Sequence, residues 1–588
     1  MRTYDKTDVA LPLAPRNEEE TTVLLQEALG MAATTGLLMR SAGGSRTDSA
    51  HVKPAFCHAP VCLLPNALPV QEYVKARRLA TIWNLLVARI AHDGPWLLQT
   101  LASVLPHDEF TRRLVEIFQA INGAGRDVQK IQLGITRSDY MLHAGESGSG
   151  SPELKQVEIN TIAASFGCLS TQVTRLHQYL VQKVLGHSRL SSKSFILPHN
   201  ETMRGLAHGL AAAHKEYLRQ ESVMFKPSQP SRPGRRPCVL MLVQADERNI
   251  NDQKLLEICL WEEFGVLLHR ATLLEVARNA HLDLQRRQNL LLVSPLISDT
   301  GEEDVQEAEV EVTVAYFRAG YDPSDYSSEG EWKGRELIEM SAAIKCPSIS
   351  HHLAGTKKVQ EALCRPGVLE RFLKDAEDVD AIRNCFVGLY GLDPECEGAT
   401  AAVAAACNSP QHFVLKPQRE GGGHNLYDQD LVEALSQMTA EERAAYILME
   451  KIRPPPFEAF FLRDCSVLRG LAVLELGVYG VYLGDGEGKR VILNESVGHL
   501  LRTKLASSHE GGVAAGFAVL SSPLLVGGGE DSGILSKKYF STLREFTMSA
   551  RVWRRQRFWK IGATGIAFWG VGLFLTYIAV SKRSGKLQ

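Results

Sequence analysis

The sequence has almost no net charge, because 67 aspartates and glutamates balance its 65 lysines and arginines. It therefore lacks the basic field that nucleic-acid binding requires, and no nucleic-acid partner is predicted. Its 11 cysteines include no C-x-x-C pair, which argues against a disulfide framework and a cysteine-rich zinc site. Residues 1–20 lack the apolar stretch of a secretory signal. These absences predict reduced thiols and a cytosolic protein.

The short motifs of common nucleotide-binding and hydrolytic enzymes are also missing. The chain contains no G-x-x-x-x-G-K-[ST] loop, no H-R-D or D-F-G motif, no H-E-x-x-H helix and no G-x-S-x-G elbow. P-loop enzymes, protein kinases, metalloproteases of the zincin type and α/β-hydrolases are therefore excluded. No internal repeat is evident, but 588 residues are enough for several domains with a substantial core.

A glycine-rich segment is the most informative feature that is present. A short apolar run ends in Lys416, Glu420 follows four residues later, and residues 421–423 are all glycine. Three glycines suit a loop whose backbone comes very close to another molecule, since they weaken helices and strands. A lysine at a strand end, a carboxylate and a flexible loop are the parts that grip a nucleoside triphosphate and its Mg²⁺. A surface turn beside a strand is the alternative.

A long apolar segment lies near the C-terminus. Residues 561–580 carry no charge, and basic residues flank them on both sides. A helix of this length spans ~30 Å, the thickness of the hydrocarbon layer. The segment predicts a transmembrane tail anchor in the endoplasmic reticulum or the mitochondrial outer membrane, with the rest of the chain in the cytosol. A buried hydrophobic helix is the alternative.

The remaining sequence is typical of a mixed α/β (α+β) protein. Helical periodicity covers residues 17–40 and 70–122, and residues 128–135 and 155–160 have strand patterns. Strand and helix patterns then alternate up to residue 345, which predicts a small parallel-sheet domain. Composition predicts a linker or surface insertion rich in Pro, Ser and Arg at 221–237, and a Gly- and Ser-rich tether between body and anchor at 521–533.

Several polar clusters follow apolar runs elsewhere in the chain. Glu158 and Asn160 lie two apart on a predicted strand, so their side chains face the same way. Lys357 follows Gly355-Thr356, Arg318 ends a strand, and Arg502 precedes a second glycine-rich loop at 511–516. Taken singly, each cluster is weak evidence, because such residues are often part of a solvated surface.

Together these segments resemble the eukaryotic glutathione synthetases of the ATP-grasp superfamily. The resemblance runs in family order over about residues 20–520, in the blocks 135–141, 156–162, 247–249, 316–321, 353–360, 416–427, 447–452 and 499–504 with 511–516. It implies an ATP-grasp fold with an inserted small parallel-sheet substrate domain, to which this chain adds the C-terminal transmembrane helix. It also implies a homodimer.

The resemblance, with the composition, divides the chain into five predicted parts. They are the N-terminal part of the ATP-grasp body (1–236), the α/β substrate-binding domain (237–345), the nucleotide-binding and lid part (346–520), the tether with a basic juxtamembrane helix (521–560) and the anchor (561–580).

The activity implied is ATP-dependent ligation of γ-glutamylcysteine to glycine through an acyl phosphate, giving glutathione, ADP and phosphate. One or two Mg²⁺ ions would be held by Glu158, Asn160 and Glu420. The implied catalytic residues are Arg502, Lys357 and Lys416. The implied ATP-binding residues are Glu158, Lys357, Lys416, Glu420, Gly421, Gly422, Asn425, Tyr427, Met449, Glu450, Ile452, Glu475 and Lys504. The implied substrate-binding residues are Arg137, Ile162, Ala163, Ser165, Glu247, Asn249, Gln253, Arg318, Tyr321, Arg502, Val513 and Ala514.

The chain departs from the family pattern at three positions near the implied site. Ala163 stands where serine is common, Ala319 where an acidic residue is common, and His424 where asparagine is common. None of these changes removes an implied phosphate or metal ligand. The Ala514-Ala515 pair resembles the glycine-using form. A related ligase with another acceptor amino acid, and an inactive tail-anchored scaffold, are the alternative hypotheses.

Overall fold

A computed structural model of the protein describes residues 13–41, 56–123, 128–145, 151–185, 195–224, 236–294, 308–420, 422–509, 511–514 and 516–527. The predicted anchor at 561–580, the predicted tether from residue 528 onward, Gly421 and Ala515 lie outside these residues. Within the described ranges, no helix has the length and apolarity needed to cross a bilayer.

The strands, in chain order, are β1 (Leu38–Arg40), β2 (Phe56–His58), β3 (Val61–Cys62), β4 (Asn66–Pro69), β5 (Ile131–His143), β6 (Glu153–Asn160), β7 (Phe195–Ile196), β8 (Arg236–Leu242), β9 (Leu268–Ala271), β10 (Ala280–Asp283), β11 (Asn289–Ser294), β12 (Ala308–Phe317), β13 (Ile344–Cys346), β14 (Leu389–Gly391), β15 (Phe413–Pro417), β16 (Leu426–Tyr427), β17 (Tyr446–Glu450), β18 (Phe457–Arg463), β19 (Ser466–Asp485), β20 (Val491–Leu505), β21 (Ala518–Ser521) and β22 (Pro523–Val526).

The helices of the described residues are α1 (Glu18–Thr35), α2 (Val70–His92), α3 (Gly94–Leu101), α4 (Glu109–Gly123), α5 (Gly167–Leu180), α6 (Thr202–Met224), α7 (Ile250–Phe264), α8 (Leu273–Asn279), α9 (Glu329–Met340), α10 (Ile349–Ala354), α11 (Lys357–Ala362), α12 (Val368–Phe372), α13 (Ala376–Arg383), α14 (Ala399–Asn408) and α15 (Asp428–Gln437).

The largest sheet has seven strands and joins the two halves of the chain. Its order is β18-β3-β21-β20-β19-β5-β6, so β5 and β6 from the first third pair beside β19 and β20 from the last third. Helix α2 packs across β5, β19 and β20 with Trp83 fully buried. Helix α2 and strand β19 approach each other closely at Gly480, since a Cβ on this residue would lie 2.0 Å from Asn84 Oδ1. Only glycine therefore fits at position 480.

A second sheet lies within the predicted substrate domain. Strands β9, β8, β12 and β13 are parallel neighbours, and β10, β11 and β12 form an antiparallel edge. The parallel pattern predicted for 237–345 therefore holds for the centre of the sheet and is wrong for the edge. A tight turn joins β10 to β11, with Arg287 and Gln288 at positive φ. Such a short connection permits only antiparallel pairing.

The glycine-rich segment connects two strands of a four-stranded antiparallel sheet. The strand order is β14-β17-β15-β16, and the loop runs from β15 to β16. Side chains alternate along β15. Leu415 packs among the apolar residues of α14 and α15, while Val414 joins Met449 and Ile452 in a separate apolar cluster. This alternation places Val414 and Lys416 on the same, open face of the sheet.

Several predicted boundaries need correction. The tether does not begin at residue 521, because β22 occupies Pro523–Val526 as the central strand between β4 and β7. Its two leucines, Leu524 and Leu525, are buried. Their burial stabilises a strand here, although the Gly- and Ser-rich composition of 521–533 predicts a tether. The linker predicted from residue 221 is helical as far as Met224. The first predicted helix ends at Thr35, because Gly36 adopts a left-handed conformation before β1.

Candidate active site

A cavity of about 700 Å³ lies where the three larger sheets meet, a volume typical of small-molecule sites. All the described residues that the sequence predicts for ATP, metal or substrate line this cavity, except Lys357 and Gln253. Gly421 lies outside the described residues. The fold thus brings together side chains from positions 137 to 514 of the chain.

The first group of charges joins two lysines to two carboxylates. Lys357, the first residue of α11, places its Nζ 3.1 Å from Glu158 Oε2 and 2.9 Å from Glu420 Oε1. Lys357 is 3% exposed and lies behind these carboxylates, not on the cavity wall. Lys416 lines the cavity and donates from Nζ to the carbonyl oxygen of Val157 at 2.9 Å. The two lysines provide positive charge beside one end of the cavity.

Burial changes the protonation of this group. It raises the pKa of Glu420 to about 7, with the neighbouring Glu158 charge acting in the same direction and Lys357 opposing it. Burial would also raise the pKa of Glu158, but the charges of Lys357 and Lys416 outweigh it and lower that pKa. Burial, together with the charge of Lys357, lowers the pKa of Lys416 to about 8. A bound cation would favour the charged form of both carboxylates.

The same group has the chemistry of a Mg²⁺ site. Asn160 Nδ2 lies 3.3 Å from Glu158 Oε1, so the amide and the carboxylate share one face of β6, as the sequence predicts. No cluster of three or more His, Cys, Asp or Glu side chains that could hold a metal ion occurs in the described residues. Two carboxylates and one amide fit Mg²⁺ nevertheless, because this ion usually completes its shell with phosphate oxygens and water.

Asp139 is a buried residue of the site to which the sequence analysis assigned no role. Its carboxylate accepts hydrogen bonds from Arg137 Nε (2.7 Å) and Nη2 (2.8 Å), from Asn160 Nδ2 (3.0 Å) and from Arg502 Nη2 (2.9 Å). The register explains this convergence, since Arg137 lies opposite Asn160 on β6 while Asp139 is two positions along β5. The alternation of Arg137 and Asp139 on one strand was the signal that could have identified it.

Arg502 is fixed on both sides but keeps one donor available. Its Nη2 also donates to Glu475, which lies opposite it across β19 and β20. The Nε of Arg502 is buried without a protein partner, and the residue lines the cavity. Buried donors normally have partners, so this unpaired atom is of the kind that a bound ligand or water would satisfy. Glu475, which the family resemblance predicts to contact the nucleotide, lines the cavity. One of its carboxylate oxygens accepts the hydrogen bond from Arg502.

The other end of the cavity has polar atoms without protein partners. Both side-chain amide atoms of Asn249 are buried and unpaired, and so is Nε of Arg318. Arg318 Nη2 donates to Asp252 Oδ2 at 3.0 Å, and Asp252 also accepts the backbone N–H groups of Phe166, Cys168 and Leu169 at the start of α5. Asp252 is the second buried carboxylate without a predicted role.

Gln253 differs from its predicted role of touching the substrate. Its Nε2 donates to Glu247 Oε2 at 2.6 Å and its Oε1 accepts from Arg270 Nη2 at 2.5 Å. Both polar ends are therefore engaged, and Gln253 does not reach the cavity wall. One turn along the chain separates it from Asn249, which directly precedes α7 and lines the cavity. Glu247 itself lines the cavity.

An apolar part of the wall adjoins the lysines. Val414, Met449 and Ile452 form a buried cluster, against which Val157, Met141 and Tyr427 pack. A surface of this kind suits the flat face of a nucleotide base. The Glu450 carboxylate accepts from Tyr390 Oη at 2.8 Å and from the Gly388 N–H at 3.3 Å, so it is already engaged.

The loop between β20 and β21 closes one side of the cavity. Lys504 Nζ donates to the carbonyl oxygen of His509 at 2.6 Å, and Val513 is buried. Arg248, to which the sequence assigned no role, donates from Nη1 to the carbonyl oxygen of Ala514 at 2.7 Å.

The three departures from the family pattern differ in their surroundings. Ala163 has a positive φ of 51°, Ala319 is buried, and His424 Nε2 lies 3.8 Å from Asp322 Oδ2.

The fold and the cavity define a mixed α/β protein whose sheets enclose one large cavity lined by lysine, arginine and carboxylate side chains beside an apolar wall. The family described as "Eukaryotic glutathione synthase, ATP binding domain" matches residues 18–525, so the chain belongs to the eukaryotic glutathione synthetase family. This confirms the family that the sequence resembles.

Curated relatives extend the match over almost their whole length. The chain is 39% identical over 514 residues to "Glutathione synthetase" of Dictyostelium discoideum, which covers 86% of this chain and 100% of the relative. It is 40% identical over 511 residues to "Glutathione synthetase" of Homo sapiens, which covers 86% and 98%. The solved structure of a glutathione synthetase-like effector from Globodera pallida has a TM-score of 0.63 at 22% identity, covers 87% and 98%, and shows the shared fold.

Proposed function

We propose that the protein ligates γ-glutamylcysteine to glycine at the expense of ATP, giving glutathione, ADP and phosphate. One observation carries this proposal. Lys416, Glu158, Glu420 and Arg502, which come from separate segments, line a single cavity, and Lys357 pairs with both carboxylates. The chain is 39% to 40% identical to glutathione synthetases over 98% to 100% of their length. The predicted ATP-grasp fold is part of the same proposal.

ATP would lie with its base on the apolar cluster of Val414, Met449 and Ile452 and its phosphates towards the lysines. Lys416 supplies positive charge at the cavity wall, and Lys357 holds Glu158 and Glu420 in place from behind. Glu158, Asn160 and Glu420 would hold Mg²⁺, which supplies charge stabilisation to the transferred phosphoryl group.

The dipeptide would occupy the end where polar atoms lack protein partners. Its carboxylates and amino group need charged and hydrogen-bonding neighbours, and Arg318 and Asn249 offer unpaired atoms there. The C-terminal carboxylate takes the γ-phosphoryl group of ATP, which forms an acyl phosphate and releases ADP.

The second step forms the amide. The amine of glycine attacks the acyl carbon, the bond from carbon to the phosphate oxygen breaks, and the amine loses a proton. Arg502, with an unpaired Nε in the cavity wall, would stabilise the negative charge on the acyl phosphate and the tetrahedral intermediate. The β20–β21 loop would exclude water, which otherwise hydrolyses the acyl phosphate.

Product formation tests this function directly. Purified full-length protein is incubated with ATP, Mg²⁺ and γ-glutamylcysteine, and ADP and peptide products are measured with glycine, β-alanine, serine or no acceptor. Glutathione formation with glycine as the best acceptor supports the proposal. A preference for β-alanine or serine supports the related ligase instead, and no turnover with any acceptor leaves the scaffold hypothesis.

We further propose that the protein is a homodimer held at the endoplasmic reticulum or mitochondrial outer membrane by residues 561–580, with its active site in the cytosol. The charge-free segment and its basic flanks support the anchor. All 11 cysteines are free thiols, in keeping with a reducing compartment. Fractionation of the full chain against a variant lacking residues 556–588 tests the anchor. Recovery of both in the soluble fraction contradicts it, and light scattering of the shortened variant measures the oligomeric state.

A further inference from the structure

His509 lies in the loop between β20 and β21 and contacts three other parts of the cavity wall. Its ring stacks on Tyr427 with a centroid distance of 4.7 Å and an interplanar angle of 20°. Its Nε2 is 3.3 Å from Asp428 Oδ2, and its Nδ1 is 3.3 Å from Lys451 Nζ. Its carbonyl oxygen accepts from Lys504 Nζ at 2.6 Å. A single side chain thus connects this loop to the end of the glycine-rich segment and to the residue after β17.

The hydrogen-bond chemistry selects one arrangement of the imidazole ring. A lysine ammonium group can only donate, so Nδ1 of His509 must accept from Lys451. In the neutral ring the proton is then on Nε2, which faces the Asp428 carboxylate. Both polar contacts and the stacking are satisfied by the same tautomer in the same orientation, so the ring is held at both edges and on one face.

The neighbours of His509 are residues of the nucleotide end. Tyr427 and Lys451 line the cavity together with His509, and Lys451 Nζ lies 5.4 Å from the centre of the Tyr427 ring. Tyr427 packs against the apolar cluster of Val414, Met449 and Ile452. A change at His509 therefore reaches the wall that would contact the nucleotide, while Arg318 and Asn249 belong to the other end.

The same loop has a counterpart contact at the substrate end. Arg248 Nη1 donates to the carbonyl oxygen of Ala514 at 2.7 Å, five residues beyond His509. Two attachments of the loop therefore lie at opposite ends of the cavity, that of His509 at the nucleotide wall and that of Arg248 at the segment that carries Asn249. These two attachments can be removed separately.

We propose that His509 is a positioning residue for ATP. It holds Tyr427 and Lys451 in the geometry that binds the nucleotide, and it acts through these two residues and not through the dipeptide site. This assignment rests on the proposed function, since it takes the nucleotide to be ATP.

Steady-state kinetics of the full-length protein test the assignment. We expect His509→Ala to raise the KM for ATP about tenfold, since it removes one ring stack and two polar contacts, and to leave the KM for γ-glutamylcysteine within twofold. His509→Phe retains the stacking and His509→Gln retains hydrogen-bonding atoms, so each should restore part of the loss. Arg248→Ala should give the reverse pattern, with a higher KM for dipeptide or glycine. His107→Ala, an exposed histidine away from the cavity, is the matched control.

Calorimetric titration with ATP and Mg²⁺ separates this proposal from the proposed function. If the wild-type protein binds ATP but forms no glutathione, the ligase function fails while the affinities of the His509 variants still test the positioning role. An ATP affinity within twofold of wild type in His509→Ala overturns the assignment. Equal increases in all three KM values, accompanied by a lower melting temperature, also overturn it, because they indicate a general structural role.

Discussion

The two ends of the cavity differ in how fully their polar side-chain atoms are paired within the protein. At the proposed phosphate end, Lys357 lies within 3.1 Å of both Glu158 and Glu420, so each of these three charges has an opposite charge beside it. At the dipeptide end, Asn249 has no partner for either amide atom and Arg318 has an unpaired Nε. The carboxylates of the first end are therefore already paired with a lysine, whereas the second end keeps polar atoms that have no partner in the protein.

This difference fits the ligand that we propose for each end. A triphosphate with Mg²⁺ is highly charged, so its site needs both lysines and carboxylates. Without ion pairs between these side chains, their buried charges would be uncompensated before the ligand binds. A dipeptide binds through directed hydrogen bonds. Donors and acceptors of the protein that have no other partner can form these bonds and so contribute to its affinity. Substitutions at the two ends should therefore fail in different ways.

The largest effect is expected for Glu420→Ala. The change removes one of the two carboxylates proposed to hold Mg²⁺, so turnover should be abolished, a loss of roughly 10³-fold or more given the several kcal/mol that metal charge stabilisation supplies. ADP release with all substrates present measures it, and circular dichroism checks the fold. Asp430→Ala, an exposed carboxylate on α15, is the control. Wild-type-like rates in Glu420→Ala would disprove the assignment of this residue as a metal ligand.

Asp139→Asn should affect both ends at once. The substitution leaves Arg137 and Arg502 without their shared charge, so the free energy of unfolding should fall by about 3 kcal/mol, as for other broken buried ion pairs. Turnover should fall about 100-fold, because Arg502 loses part of its support next to the reacting group. Urea denaturation and ADP release measure the two effects. A stable variant with normal turnover would show that the Asp139 network has no role in catalysis.

Asn249→Ala should change binding without changing stability. Neither amide atom has a partner in the protein, so the free energy of unfolding should stay within about 0.5 kcal/mol of wild type. The KM for γ-glutamylcysteine should rise up to about tenfold, the value of a lost hydrogen bond or two, while the KM for ATP stays constant. An equal rise in both KM values would remove the distinction between the two ends.

The smallest effect is expected for His424→Asn, which restores the residue common in the family. His424 is half-exposed and 3.8 Å from Asp322 Oδ2, a pair of the kind that contributes about 0–1 kcal/mol. The KM values should therefore stay within a few-fold of wild type. A tenfold change in either KM would show that this residue belongs to one end of the cavity after all.

Local patterns in the sequence predict the parts of the site that lie on single elements. The run ending in Lys416 with its glycine loop, and the pair Glu158 and Asn160 on β6, lie where the patterns placed them. The resemblance to glutathione synthetases, which the family match confirms, supplied most of the other cavity residues. Asp139 and Asp252 escaped both routes, because their importance comes from partners up to 363 positions away in the chain, as in the Arg502–Asp139 contact.

The sequence alone determined the family, the mixed α/β class and the chemical character of the cavity, since residue types and short spacings carry that information. Tertiary structure decided which charges neutralise one another and which polar atoms stay unpaired. Strand register set these pairings, by placing β5 and β6 beside β19 and β20. It also decided that Pro523–Val526 is a central strand and not a tether, because burial between β4 and β7 stabilises a segment too short to have its own structural preference.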